Sequence, residues 1–158
     1  MAGLATAAEV SRQLVYAHFA DLPTLVRELL TDRFGALDEA VAAAVADAAG
    51  PASARFAAQL MLSLAPADRY ILRALLLQAN TPEHELAGLA VTVRNRMIDR
   101  WATALGGADE PDSRAVAWAL INAHLGVADV VDAGTITPER AVDQLARLAA
   151  ASASAQDA

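Results

Sequence analysis

Apolar residues recur at intervals of three and four positions through most of this chain, and glycine, proline or short polar stretches interrupt the pattern. These intervals place apolar side chains on one face of an α-helix, and no segment shows the alternation that is typical of a strand. We therefore predict an all-α fold with six helices between residues 22 and 150. The predicted helices cover residues 22–49, 53–65, 68–79, 82–105, 113–132 and 137–150.

Signals for helix starts and stops support these boundaries. Asp21 is placed to cap the first of the six helices, and Gly50 is placed to end it. Pro82 is expected at the first position of the fourth helix, where the N–H group that proline lacks has no helical partner. Gly134 should end the fifth helix, and the small and polar residues 151–158 are predicted to form a disordered tail.

The segment before these helices predicts a short helix with a polar outer face. Ser11 can accept a backbone N–H group at its start, and Val15 and Phe19, four residues apart, would bury one side. Arginine and glutamine match base edges, leucine can meet a thymine methyl group, and tyrosine and histidine can bond phosphate oxygens. The candidate DNA-binding residues are Ser11, Arg12, Gln13, Leu14, Tyr16 and His18.

This segment resembles the DNA-binding motif of TetR-type transcriptional repressors over about the first sixth of the chain. The matching positions are Leu4, Ala5, Ala8, Val10, Ser11, Tyr16, His18, Phe19 and Leu25. In that family the segment forms the end of helix 2, the turn, recognition helix 3 and the entry to helix 4. The resemblance implies a partial helix-turn-helix in residues 1–22 and a six-helix effector-binding and dimerisation domain in residues 23–150.

The sequence departs from the family pattern in three ways. Glu9 stands where the family usually has a turn glycine, and Leu22 stands where it usually has a lysine that contacts a phosphate. Family members also carry a whole first helix, and most of a second, before the position of Leu4. We expect the sequence as given to be shorter than the natural protein; the alternative is a degenerate regulator that binds DNA poorly.

Composition limits the classes of partner and of chemistry. The formal net charge is -7, and Arg12 is the only formal charge in residues 10–20, so any DNA contact must be local rather than spread over the body. No secretory signal is visible, and the apolar run 115–131 is interrupted by polar residues, so we expect a cytoplasmic protein without a membrane span.

Residues that carry enzyme chemistry are scarce. The chain has no cysteine and no lysine, and its three histidines are far apart in sequence, so we predict no enzyme activity, no metal site and no cofactor. His124, within an apolar helix, is expected to be a hydrogen-bonded core or interface residue.

The predicted helix 113–132 is apolar nearly all round and must be covered on more than one side. Its small-residue face, with the last helix, predicts a two-fold interface of four helices, as in TetR-like dimers. The alternative is that both faces are buried inside one protomer. The candidate dimer residues are Ala115, Ala119, Ala123, Gly126, Val130, Leu145 and Leu148.

Polar and soft residues within the apolar helices suggest a small-molecule pocket, since such pockets combine apolar walls with a few polar groups. Each of these residues could equally be part of the plain core. The candidate ligand-binding residues are Gln59, Tyr70, Met97, Trp101, Trp118 and Asn122.

These patterns, together with the resemblance, predict a ligand-responsive repressor that binds palindromic operator DNA as a homodimer and is released by a small-molecule effector. The resemblance implies that the effector shifts the helix joined to the DNA-reading segment. The alternative is a dimeric helical protein that binds a small molecule or a partner protein and has lost DNA binding.

Overall fold

The computed structural model describes residues 2–47, 51–105 and 109–156 of this chain. These residues form eight α-helices and contain no strand, which confirms the predicted all-α fold. In chain order the helices are α1 (Ala2–Ala7), α2 (Arg12–His18), α3 (Leu22–Asp47), α4 (Pro51–Ser63), α5 (Pro66–Gln78), α6 (Ala87–Ala104), α7 (Pro111–Asp132) and α8 (Pro138–Gln156).

Helix α7 is the central element of the body and contacts α4, α5, α6 and α8. Its buried residues recur every three or four positions, as expected for a helix covered along one broad face. Leu120 is 1% exposed, and around it α7 packs against Phe34 of α3, Leu72 and Leu76 of α5 and Trp101 of α6. This cluster is the main hydrophobic core.

Helix α8 closes the other side of the body by packing on α4 and α7. Val142 and Leu145 of α8 form a second cluster with Ala58 of α4, and Ala123 and Val127 of α7 pack against it. Arg55 of α4 adds an ion pair to Asp143 across the same helix pair, with 2.7 Å between Nη1 and Oδ1.

Proline occupies the first position of four helices, namely Pro51, Pro66, Pro111 and Pro138. The fixed φ of proline suits the first helical turn, where its missing N–H group has no helical partner. Because of this, α4, α5 and α7 each begin two residues before the predicted starts at residues 53, 68 and 113.

The predicted start of the fourth helix at Pro82 is wrong, because α6 begins at Ala87. The N–H groups of Thr81, His84 and Ala87 each bond the carbonyl oxygen three residues earlier, which makes a series of turns. Nδ1 of His84 also accepts the N–H of Leu86 at 3.1 Å. These local bonds satisfy the backbone without a helix.

Two further boundaries bear on the predictions. Helix α8 continues to Gln156, so residues 151–156 are helical rather than a disordered tail, and residues 157–158 lie outside the described residues. The alanine and serine residues at this end carry the helix on, because alanine has the highest helix propensity. The predicted stop at Gly50 also lies outside the described residues.

Helix α7 is long and apolar enough to cross a membrane by length and composition alone. This is weak evidence for a span, because the central helix of a globular protein meets the same criterion. In this fold, Ser113 and His124 of α7 are buried against other helices.

Arg69 is 7% exposed, and its guanidinium group joins three helices. Nη1 donates to the carbonyl oxygens of Leu62, at 3.2 Å, and of Leu64, at the carboxyl end of α4. Nη2 pairs with the carboxylate of Asp132 at the end of α7. Arg69 therefore satisfies helix-end carbonyls that lack intrahelical partners and holds α4, α5 and α7 together.

We expect Arg69→Met to lower the free energy of unfolding by about 2–4 kcal/mol, because it leaves two carbonyl groups and Asp132 without their donor. Arg55→Met is the matched control, since it removes an arginine from an exposed interhelical pair and should cost less than about 1 kcal/mol. Urea unfolding measures both values. Equal losses for the two variants would contradict the anchoring role of Arg69.

Candidate nucleic-acid interface and ligand sites

Helix α1 ends in a tight turn that leads directly into α2. The N–H of Glu9 bonds the carbonyl of Thr6 at 3.2 Å, and the N–H of Val10 bonds the carbonyl of Ala5 at 3.0 Å. This pair of bonds defines a Schellman motif, in which the residue after the helix cap adopts a left-handed conformation. Glu9 is that residue, with a φ of 54°.

Glu9 occupies the turn position where the sequence resemblance expects glycine. It is the one non-glycine residue with positive φ among those that the structure describes. Gly134 has the same role after α7, with a φ of 70° and bonds from Gly134 and Thr135 to Val131 and Val130. The two turns therefore make equivalent backbone bonds, but only the second has the residue that adopts this conformation without strain.

Helix α2 is capped at Ser11 as predicted, and of the two residues expected to bury its inner face, Val15 does so. Oγ of Ser11 accepts the N–H of Leu14 at 3.1 Å, which confirms Ser11 as the N-cap. Val15 is 7% exposed and fixes the inner side of the helix. Phe19 lies just beyond the end of α2, is half-buried, and donates its N–H to the carbonyl of Val15 at 2.9 Å.

The outer surface of α2 carries all the predicted DNA contacts. Helical spacing places Arg12 and Tyr16, four residues apart, on one side and Leu14 and His18 on the other, with Gln13 facing away from Val15. The side chains of Leu14 and Tyr16 are 48% and 56% exposed. The exposed residues are Ser11, Arg12, Gln13, Leu14, Tyr16 and His18.

The link from α2 to the body is short and well defined. Three residues separate His18 from the start of α3, and Oδ1 of Asp21 accepts the N–H of Thr24 at 2.7 Å, which confirms Asp21 as the cap of α3. This bond holds the pKa of the Asp21 carboxyl group below its ordinary value of 3.8. Helix α3 then continues into the core through Phe34.

The six predicted ligand-binding residues do not surround one cavity in the described structure. Met97, Trp101 and Trp118 belong to the main core, whereas Gln59, Tyr70 and Asn122 are exposed. Nδ2 of Asn122 donates to the carbonyl of Trp118 at 2.8 Å, so this pair is linked by a local helix bond. The core interpretation therefore fits three residues, and ligand binding by the other three stays a prediction.

A pocket that the sequence did not predict lies between α5 and the end of α7. Its volume is about 310 Å³, and Tyr70 is the only predicted ligand residue in its wall. Arg73 and Asp129 form an ion pair across it, beside the pair between Arg69 and Asp132. The pocket is lined by Pro66, Arg69, Tyr70, Arg73, Leu125, Asp129 and Asp132.

His124 is a core residue, as predicted. It is 3% exposed, its Nδ1 lies 2.6 Å from the carbonyl oxygen of Leu120, and its ring centroid lies 5.3 Å from that of Trp101. The residues that the structure describes contain no cluster of three or more histidine, cysteine or acidic side chains that could hold a metal ion.

The predicted dimer residues fall into three groups by exposure. Ala115 and Ala119 are exposed, Val130 and Leu148 are 38% and 45% exposed, and Ala123 and Gly126 are half-buried. Leu145 is 2% exposed and packs inside the protomer, so its assignment to a dimer interface is wrong. The periodicity of α8 did not show which of its two leucines faces α4.

Comparison with models of protein families, with curated proteins and with solved structures finds no match. What this protein does must therefore be inferred from the exposed face of α2, the α5–α7 pocket and the outer face of α7.

We expect Glu9→Gly to stabilise the turn between α1 and α2 by about 1 kcal/mol, because glycine adopts positive φ without steric strain. Amide exchange in α2 should slow by about fivefold. Gly134→Ala is the reciprocal control, since no atom lies within 4 Å of an added Cβ and only backbone strain is introduced. Unchanged or faster exchange for Glu9→Gly would disprove strain at this position.

Proposed function

We propose that this protein is a TetR-like transcriptional repressor in the cytoplasm, which binds palindromic operator DNA as a homodimer and leaves it when a small-molecule effector binds. The observation that carries the proposal is the arrangement of α2. Its inner side is fixed by Val15 and its start by Ser11, while every predicted DNA contact is exposed. A capped helix after a tight turn, with polar residues outward, suits insertion into a major groove.

In the proposed complex, the two ends of α2 have different tasks. Arg12 and Gln13 reach base edges, and Leu14 meets a thymine methyl group. Tyr16 and His18 bond phosphate oxygens and fix the orientation of the helix. The net charge of -7 disfavours DNA contacts by the body, so affinity depends on this short helix.

Helix α3 supplies a physical link between an effector and the DNA-reading helix. It begins three residues after α2 and continues to the core residue Phe34. Nη1 of Arg33 in α3 lies 3.9 Å from Oδ1 of Asp68 in the first turn of α5. An effector that prefers one position of these helices would change the position of α2, and its differential affinity sets the size of the effect.

A homodimer is supported by the uncovered face of α7. Ala115, Ala119 and Val130 recur on the side of the helix opposite its buried residues, and Leu148 of α8 is also exposed. Small residues permit close approach of a second copy of α7. Two-fold symmetry would then present two copies of α2 to half-sites about one DNA turn apart.

The second candidate is a dimeric helical protein that binds a small molecule or a partner protein but not DNA. Two observations favour it. Glu9 strains the turn before α2, and Arg12 is the only formal charge in residues 10–20. Selection of DNA by the protein distinguishes the two candidates.

We expect the protein, with the first helix that the resemblance implies restored before residue 1, to enrich palindromic sites from a randomised duplex library. Arg12→Ala should weaken binding to an enriched site by about 10–100-fold and relax base choice at one position in each half-site, because a bidentate base contact is lost. Arg140→Ala, which removes an exposed arginine of α8, is the matched control and should bind as the parent does. Fluorescence anisotropy measures both affinities. If no sequence is enriched, the repressor proposal fails and the second candidate stands.

We expect the chain to sediment as a dimer and Ala119→Arg to shift it towards monomer, because the new side chain separates the two α7 helices. Ala67→Arg introduces the same side chain at an exposed position of α5 and should leave the dimer intact. Sedimentation velocity at matched concentrations reports both. A dimer unaffected by Ala119→Arg would show that α7 is not the interface.

A further inference from the structure

The pocket between α5 and α7 is built from two rows of opposite charge. Arg69 and Arg73 are four residues apart on α5, and Asp129 and Asp132 are three residues apart on α7. Each arginine pairs with one aspartate, so the formal charge of the pocket wall is zero. Such a wall does not favour a ligand that carries only one sign of charge.

Both ion pairs can be reached from the pocket. The side chains of Arg73 and Asp129 are 45% and 58% exposed, and that of Asp132 is 39% exposed. An ionised carboxylate can accept about four hydrogen bonds, so both aspartates can accept further donors beside their arginines. Arg69 is 7% exposed, and its Nη1 and Nη2 atoms already bond the carbonyl groups at the end of α4 and the carboxylate of Asp132. Arg73 is therefore the arginine that is open to a ligand.

The rest of the pocket wall is apolar or aromatic. Leu125, which is 6% exposed, and Pro66 both line the pocket, while Tyr70 is largely exposed at 74%. An aromatic ring that is held in the open offers a flat surface to an apolar group. The volume of about 310 Å³ is at the lower end for ligand pockets and suits a metabolite of a few to a dozen heavy atoms.

We propose that the α5–α7 pocket binds a small zwitterion with an apolar side chain, of the class of an apolar or aromatic α-amino acid. The ammonium group of the ligand bonds the carboxylates of Asp129 and Asp132. Its carboxylate bonds the guanidinium group of Arg73, and its side chain lies on Tyr70. An anion alone also meets two aspartates and a cation alone also meets arginine, whereas a zwitterion places each of its charges beside a group of opposite charge.

The site does not depend on the proposed repressor function, because ligand binding is measured without DNA. The probes are L-phenylalanine, phenylpropanoate, which lacks the ammonium group, and phenylethylamine, which lacks the carboxylate. Isothermal titration of the full chain should show saturable binding of L-phenylalanine. Each analogue should bind about 10–100-fold more weakly, because one set of charge-assisted hydrogen bonds is lost.

Two variants test the pocket without removing the structural Arg69. Asp129→Asn and Arg73→Gln change side chains that are about half-exposed and should each weaken L-phenylalanine binding by about tenfold or more. Arg55→Gln alters an equally exposed interhelical pair outside the pocket and should leave binding unchanged. Circular dichroism spectra of all three variants that match the parent show that each one is folded.

The proposal is overturned by any of three results. These are no saturable binding of L-phenylalanine, equal affinity for one of the singly charged analogues, and unchanged affinity in both pocket variants. Glycine distinguishes the contribution of the apolar wall, since it has the same charges without a side chain. Binding of glycine as tight as that of L-phenylalanine would contradict the contact with Tyr70.

Discussion

The need to cover an almost entirely apolar helix organises this molecule. Helix α7 buries the side that carries Leu120, Ile121 and Leu125 beneath α4, α5, α6 and α8. Burial of apolar surface is the main favourable term in folding, so the other helices of the body are arranged around it. Four helices cannot enclose a cylinder completely, and the side with Ala115 and Ala119 remains exposed. The proposed dimer surface and the pocket both follow from α7, one from its outer face and the other from its carboxyl end.

Local patterns were sufficient to predict most of the helices and the outer face of α2. The cap at Ser11, the buried Val15 and the cap at Asp21 all involve neighbours within four residues, which a sequence displays directly. The predicted helix starts were less exact where a proline and a serine both signal a start. Ser53 is the predicted start of α4, but the helix begins two residues earlier, at Pro51. Proline favours the first position of a helix, and Pro82 is predicted there for that reason. Instead, a series of turns stabilised by His84 occupies this segment, and the helix begins later.

The pocket could not be predicted because its contacts join distant parts of the chain. Arg69 and Asp132 are 63 residues apart in sequence. The pattern within each helix shows that the position is charged, but it does not show which residue of another helix pairs with it. The buried state of Arg69 depends on the way α4 ends against α5, which no local pattern encodes. The same limit applies to α8, where Leu145 is buried and Leu148 is exposed although both fit an apolar stripe. Pairing between helices, rather than helix formation, is what the sequence left open.

The segment formed by α1 and α2 is stabilised only by weak local interactions, and this bears on the proposed function. Helices of six and seven residues are not stable in isolation, so α1 and α2 depend on their turn, their caps and the short link to α3. The strain at Glu9 and the gain from the Ser11 cap are each on the order of 1 kcal/mol and oppose one another. A segment so nearly balanced is readily ordered or loosened by a shift of α3. In the proposed function, an effector would therefore control DNA binding by changing how well ordered α1 and α2 are, rather than by changing their charge.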